Sequence, residues 1–209
     1  TLPADQQMNW IRPTADYVFT GGQSVGGGGE AEVFFWDRAS STFNSRYGSG
    51  DSQVFAGFVG YGIPYIITRK GEIKRFTGQG FRTVQAFPCK ELDIVISNIH
   101  PNGVVVDNNI VKILVTFGAT TGTGFGLQSQ RVLDGLWTYN LDTNNLYHGG
   151  SPTNTVANDY GQTELSETGA IIYTNPTQGR YLMGARTFSV YTGTQRYSIQ
   201  SSDEGSTAN

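Results

Sequence analysis

The sequence predicts an all-β fold built from short antiparallel hairpins that assemble as propeller-like blades, about four in number. Three observations carry this. Gly is abundant at 28 of 209 residues and aromatics reach 12 %, a composition that suits short strands joined by tight turns. Short apolar runs recur between turns rich in Gly, Asn, Asp and Ser, the punctuation expected of hairpins. Finally, an apolar strand ending in an aromatic and followed by a polar turn recurs at Trp36, Phe76, Tyr139 and Tyr191.

Residues 1–30 are expected to form an irregular arm, because Gly21-Gly22 and the run Gly26 to Gly29 interrupt regular structure. A phosphate-cradling glycine loop would need a helix N-terminus after it, and a strand pattern follows instead. That strand is Glu32 to Asp37, with a turn at Ala39-Ser40-Ser41 and a partner beginning at Thr42-Phe43. A four-stranded meander comes next: Gln53 to Val59, Ile63 to Thr68, Glu72 to Phe76 and Phe81 to Val84, with turns at Gly60-Tyr61-Gly62, Arg69-Lys70-Gly71 and Gly78 to Gly80. Pro64 near the start of its strand is compatible with this.

Val104 to Val106 and Ile110 to Thr116 form a hairpin around Asp107-Asn108-Asn109. Gly135 to Tyr139 and Leu146-Tyr147 flank a turn at Asn140 to Asn145. Ala170 to Tyr173, Arg180 to Met183, Ser189 to Tyr191 and Arg196 to Ile199 complete the series.

A single four-stranded meander cannot bury both of its faces, and radial stacking of several solves the problem. Trp36 and Phe76 are 40 residues apart, the length of one blade. The later intervals, 63 and 52 residues, require insertions at Gly118–Arg131 and Ser151–Thr163. A β-sandwich is the alternative architecture, since it produces similar local patterns. Residues 31–209 are thus expected to form one domain, either a small propeller or part of a longer one.

The chemistry-bearing residues are sparse. The net charge is −3, which disfavours a phosphate-tracking nucleic-acid surface. Arg69, Lys70, Lys74 and Arg75 make a local basic cluster, expected to be a solvated hairpin. Cys89 is the only cysteine, which excludes an internal disulfide and cysteine-cluster zinc sites. Its expected role is that of a small buried hydrophobe.

His100 and His148 are the only histidines, without metal-ligand spacing. There is no Gly-x-Ser-x-Gly elbow. Asp142-Thr143-Asn144 starts like a calcium loop but lacks its Gly and closing Glu, so a plain turn is expected. No segment approaches the roughly 18 apolar residues of a membrane-spanning helix. No catalytic residue, cofactor or metal is expected.

Two resemblances sharpen the picture. Ser201-Ser202-Asp203-Glu204-Gly205-Ser206-Thr207 resembles the Asp-box of sialidase-like propellers, without the closing aromatic because Ala208 stands there. In that family the box is a structural turn, so the resemblance implies architecture and not sialidase activity. Pro64 to Phe76, His100 to Gly103 and Gly135 to Asn140, which together span roughly residues 54–148, resemble β-propeller modules of tail-associated phage structural proteins.

The second resemblance implies a non-catalytic assembly module of a virion, formed in the host cytoplasm and partnered by other virion subunits as a homo- or hetero-oligomer. Low charge, at 15 %, and many aromatics suit packed surfaces. Tyr17, Tyr47, Tyr160 and Tyr181 are the candidate interface anchors.

A carbohydrate-binding propeller or a glycosidase is the alternative function, because loops rich in Trp, Tyr, Asn and Asp stack on sugars and hydrogen-bond them. Trp10, Trp36 and Trp137 are the sugar-stacking candidates, and the binding or interface candidates under either function are these three with Tyr139, Arg69 and Lys70.

Overall fold

The computed structural model describes residues 3–26, 29–40, 42–99, 103–119, 133 and 135–148, together with the backbone of 171–175, 180–188, 195–203 and 206–207. The chain is all-β with antiparallel sheets, as the hairpin grammar predicts.

Sheet one orders β1 (Gln6–Pro13), β2 (Tyr17–Ser24), β3 (Glu32–Asp37) and β4 (Phe43–Gly48). Sheet two orders β5 (Val54–Gly60), β6 (Ile63–Thr68), β7 (Glu72–Phe76) and β8 (Phe81–Ala86). Sheet three orders β10 (Val104–Asp107), β11 (Ile110–Ala119), β12 (Gly135–Asn140) and β13 (Leu146–His148), with β9 (Ile94–Asn98) paired to the far end of β11. Sheet four orders β14 (Ile171–Asn175), β15 (Arg180–Phe188), β16 (Gln195–Asp203) and β17 (Ser206–Thr207). Within the Asp-box-like segment Ser202 pairs with Thr207 and Asp203 with Ser206, joining β16 to β17. The predicted elements at 189–194 lie outside the described residues.

The stacking of the sheets follows from strand alternation. Successive residues of β6 point to opposite faces. Tyr65 and Ile67 join one core with Ile113, Phe117, Trp137 and Tyr139 of sheet three. Ile66, between them, joins a second core with Trp10, Phe19, Val33 and Phe35 of sheet one. Sheet two is therefore buried on both faces by two different sheets.

The outer faces of its neighbours carry buried side chains in places, although Ile11, in register with Phe34 through Thr20, stays exposed. Phe34, on the face of β3 turned away from Phe35, is 1 % exposed, and Leu114 and Leu136 form a small cluster on the far face of sheet three. A two-layer sandwich gives each sheet one buried face, and burial of sheet two on both faces is what propeller-like blades would give. The first strands of successive sheets also run beside one another, β1 with β5, β5 with β10 and β10 with β14.

The expected irregular arm is instead largely a hairpin, since β1 and β2 complete sheet one. Gly21 and Gly22 lie inside β2 and do not end it. A Cβ on Gly21 would stand 2.7 Å from the Trp10 ring, and one on Gly22 would stand 1.8 Å from the Gln7 carbonyl oxygen. These glycines are required by close approach, a use that a sequence does not distinguish from chain breaking.

The linker between sheets one and two is fixed by buried polar groups. Asp51, 5 % exposed, accepts hydrogen bonds from the backbone N–H of Ser52 at 2.7 Å and of Lys70 at 2.6 Å. Lys74 Nζ donates to the Ser49 carbonyl at 2.6 Å and meets Glu72 at 3.0 Å. The predicted basic cluster is thereby divided: Lys74 is buried, whereas Arg69, Lys70 and Arg75 are exposed.

Candidate cavity at the turn-bearing end of the sheets

The hairpin turns β1–β2, β5–β6, β7–β8 and β12–β13 gather around one cavity of about 750 Å³, within the range typical of small-molecule sites. It crosses the end of sheet two, from sheet one to sheet three.

Sheet one contributes Thr14, Asp16 and Tyr17. Their turn is rigid by hydrogen bonding. Thr14 N–H donates to the Tyr17 carbonyl at 2.7 Å, Tyr17 N–H donates to Thr14 Oγ1 at 2.9 Å, and Arg38 Nη1 donates to the Thr14 carbonyl at 2.8 Å. The Tyr17 ring is held edge-on against Phe35, with centroids 6.1 Å apart.

Sheet two contributes the floor, with Ile63, Pro64, Arg75, Phe76 and Arg82. The β5–β6 turn takes positive φ at both central residues, 50° at Tyr61 and 78° at Gly62, as in a two-residue type I′ hairpin. The β7–β8 turn is closed by Thr77 N–H donating to the Gly80 carbonyl at 2.9 Å. Phe76 stacks on Phe35 at 4.7 Å and so belongs to both the cavity wall and the core.

Sheet three contributes Asn144, at a φ of 56°. Tyr139 Oη donates to Asn144 Oδ1 at 2.7 Å, and Gln85 Nε2 donates to the Asn144 carbonyl at 2.7 Å. The same border is tied at Asp142, which accepts from Tyr61 Oη at 2.7 Å and from Asn109 Nδ2 at 2.8 Å. These two bonds hold the Asp142 carboxyl below its ordinary pKa.

Register places the arginines. Phe58, Tyr65, Arg75 and Arg82 are successive partners across sheet two, so all four share the face toward sheet three. Burial pushes the Tyr139 phenol up to about 12, against a smaller pull from Arg75. Burial raises Tyr65 as well, again opposed by Arg75.

The candidate residues of the sequence analysis fall elsewhere. Trp10, Trp137 and Tyr139 are buried in the two cores at 4 %, 5 % and 0 % exposure, so none presents a free ring face. Trp36 is half-buried on the outer face of sheet one. Arg69 and Lys70 occupy the β6–β7 turn, at the opposite end of sheet two from the cavity. There Lys70 Nζ donates to the Gly50 carbonyl at 3.2 Å, and Arg69 joins the framework through its backbone.

Of the tyrosines named as anchors, Tyr17 lines the cavity and Tyr47 packs on Phe35 and Phe76. Tyr181 is described by its backbone alone, and Tyr160 lies outside the described residues. Among the described residues no group of three His, Cys, Asp or Glu side chains is placed to hold a metal. His148 lies against the Trp137 ring at 5.1 Å, and His100 is outside the described residues. Arg82, Asn144 and Asp16 are the cavity residues that sequence reasoning missed. Only their pairing across turns brings them together.

No protein-family model and no curated protein matches the sequence. Among solved structures the chain is similar to the computationally designed Ika4 protein, at 16 % identity and a TM-score of 0.49, over 94 % of this chain and 92 % of that one. It is also similar to the computationally designed Ika8 protein, at 15 % identity and a TM-score of 0.47, over 91 % of this chain and 48 % of that one. A third is the endo-arabinase from Bacteroides thetaiotaomicron VPI-5482, at 11 % identity and a TM-score of 0.48, over 95 % of this chain and 77 % of that one. At these values none of the three bears on what this chain does.

Proposed function

We propose that the chain is a non-catalytic binding module whose ligand, a carbohydrate, occupies the cavity at the turn-bearing end. The cavity itself supports the reading. Its lining mixes hydroxyl, amide, carboxylate and guanidinium groups with the apolar surfaces of Pro64 and Phe76, the combination that sugar hydroxyls and ring faces require. Glycoside hydrolysis generally needs two carboxylates flanking the scissile bond, and Asp16 is the only acid among the lining residues.

A glycan array probed with the intact chain tests this, alongside a Thr83→Trp variant that fills the cavity. Retention of a saccharide by the wild type and its loss in the variant are expected. Retention unaffected by Thr83→Trp would place binding elsewhere, and release of a fluorogenic aglycone would make the chain an enzyme.

A second reading, assembly into a phage virion near the tail, is favoured by the resemblance of residues 54–148 and by apolar side chains left open to solvent. Ile11, Tyr61 and Tyr147 are 60 %, 61 % and 52 % exposed. Light scattering on the native species distinguishes it. A multi-subunit species is expected if the chain works in an assembly, and a monodisperse monomer would remove that reading.

A further inference from the structure

The two arginines of the cavity stand out electrostatically. Arg75 and Arg82 are direct cross-strand partners and both are exposed. Like charges opposed across an antiparallel ladder destabilise it. On the same sheet Lys74 meets Glu72 and Lys70 meets the Gly50 carbonyl. Neither Arg75 nor Arg82 forms an ion pair or a side-chain hydrogen bond within the described residues. Tyr65 and Tyr139, the phenols beside Arg75, offer no counter-charge because burial keeps them protonated.

The remaining free polar groups lie across the cavity. Asp16 shares no ion pair with either arginine, the Tyr17 hydroxyl makes no hydrogen bond, and Asn144 Nδ2 donates to no one within the described residues. One side of the site therefore carries ten or so unanswered guanidinium N–H donors, and the rest carries groups suited to hydroxyls. Planar guanidinium forks match a carboxylate in geometry and charge. A bare inorganic anion would satisfy the arginines and leave the remainder of a 750 Å³ cavity unfilled.

We propose that Arg75 and Arg82 jointly hold the carboxylate of an acidic saccharide, with Asp16, Tyr17 and Asn144 turned to its hydroxyls. This rests on the binding reading above and narrows it to uronic-acid-type ligands. The paired charges, costly in the free protein, are stabilising once the carboxylate is seated.

Calorimetric titration of the intact chain with a galacturonic acid trisaccharide, the neutral galactose trisaccharide and inorganic phosphate tests it. The acidic trisaccharide is expected to bind about tenfold or more tightly than the neutral one, the value of one charge-assisted hydrogen bond. Arg82→Gln is expected to lose about that factor for the acidic ligand alone. Its urea midpoint should hold or rise, because the substitution relieves the repulsion with Arg75, so loss of binding cannot be mistaken for misfolding.

Equal binding of both trisaccharides, unchanged in Arg82→Gln, would overturn the carboxylate assignment and leave the binding reading standing. Phosphate binding as tightly as the acidic trisaccharide would overturn the saccharide as the anion's source. Binding of none of the three ligands would overturn this assignment, and an empty glycan array beside it would overturn the wider reading.

Discussion

The Trp10 indole of β1 occupies the space that a side chain on Gly57 of β5 would fill. A Cβ built on Gly57 would lie 2.3 Å from the ring. The indole N–H donates to the Val54 carbonyl at 3.0 Å, and Phe19 meets the ring edge-on at 5.5 Å. One aromatic thus spans the border of sheets one and two, anchored at its polar end and seated on bare backbone at the other. Such an arrangement depends on a tryptophan and a glycine 47 residues apart in the chain.

Gly57→Ala is therefore expected to destabilise the protein by about 1–3 kcal/mol, the usual cost of overpacking a filled core. Urea unfolding followed by fluorescence measures it. Gly62→Ala is the useful contrast. A Cβ there meets nothing, so its penalty comes from a φ of 78° and not from a clash. An unchanged midpoint in Gly57→Ala would mean that the indole moves aside without loss.

Asp51→Ala should be costly for a different reason. It leaves the N–H groups of Ser52 and Lys70 without their carboxylate acceptor beside a buried linker. Unsatisfied buried donors cost about 1–3 kcal/mol, more where the lost partner is charged. Asp51→Asn keeps one acceptor oxygen and should fall between Asp51→Ala and the wild type. Denaturant midpoints of the three proteins give the ranking, and equal values for Ala and Asn would remove the acceptor argument.

Much of the architecture was legible in the sequence because hairpins write themselves locally. Glu32–Asp37, Ile63–Thr68 and Glu72–Phe76 are strands at the limits that alternation and turn residues set. Gly21 and Gly22 misled because a glycine admitting Trp10 looks the same in sequence as one breaking a strand. The cavity was less legible still. Trp10 and Trp137 have the composition of sugar-stacking residues, yet only the sheet stacking decides that they face neighbouring sheets. Asp16, Arg75 and Asn144 come from three different sheets, and no spacing in the chain encodes their convergence.

The Tyr61–Asp142 bond predicts an observable titration. Tyr61 is raised above the ordinary phenol value, first by donating its hydrogen bond to Asp142 and then by lesser burial and charge effects. Asp142→Asn removes the negative charge and the strong acceptor, so Tyr61 should titrate at lower pH in that variant. Ultraviolet difference titration against a Tyr61→Phe reference isolates the group. A Tyr61 curve that does not move would mean that the two turns are not joined in solution.

Cys89 should make the fold sensitive to alkali. Its thiol is 2 % exposed and is pushed up to about 12, by burial first and by the charge of Glu91 second, from an ordinary value of 9.0. The folded state keeps its proton where the unfolded chain has lost it. The stability this contributes is complete below about pH 9 and is lost as pH rises toward about 12. Tyr139, raised from 10.0 to about 12, acts in the same direction from a higher starting point. The urea midpoint should accordingly decline above about pH 9, and Cys89→Ala should delay the onset of that decline while leaving the later part due to Tyr139. In the native protein the thiol should resist a disulfide reagent at neutral pH and react once denaturant opens the core. Identical pH profiles for the wild type and Cys89→Ala, together with rapid labelling of the folded chain, would show a thiol in contact with water and would end the argument from burial.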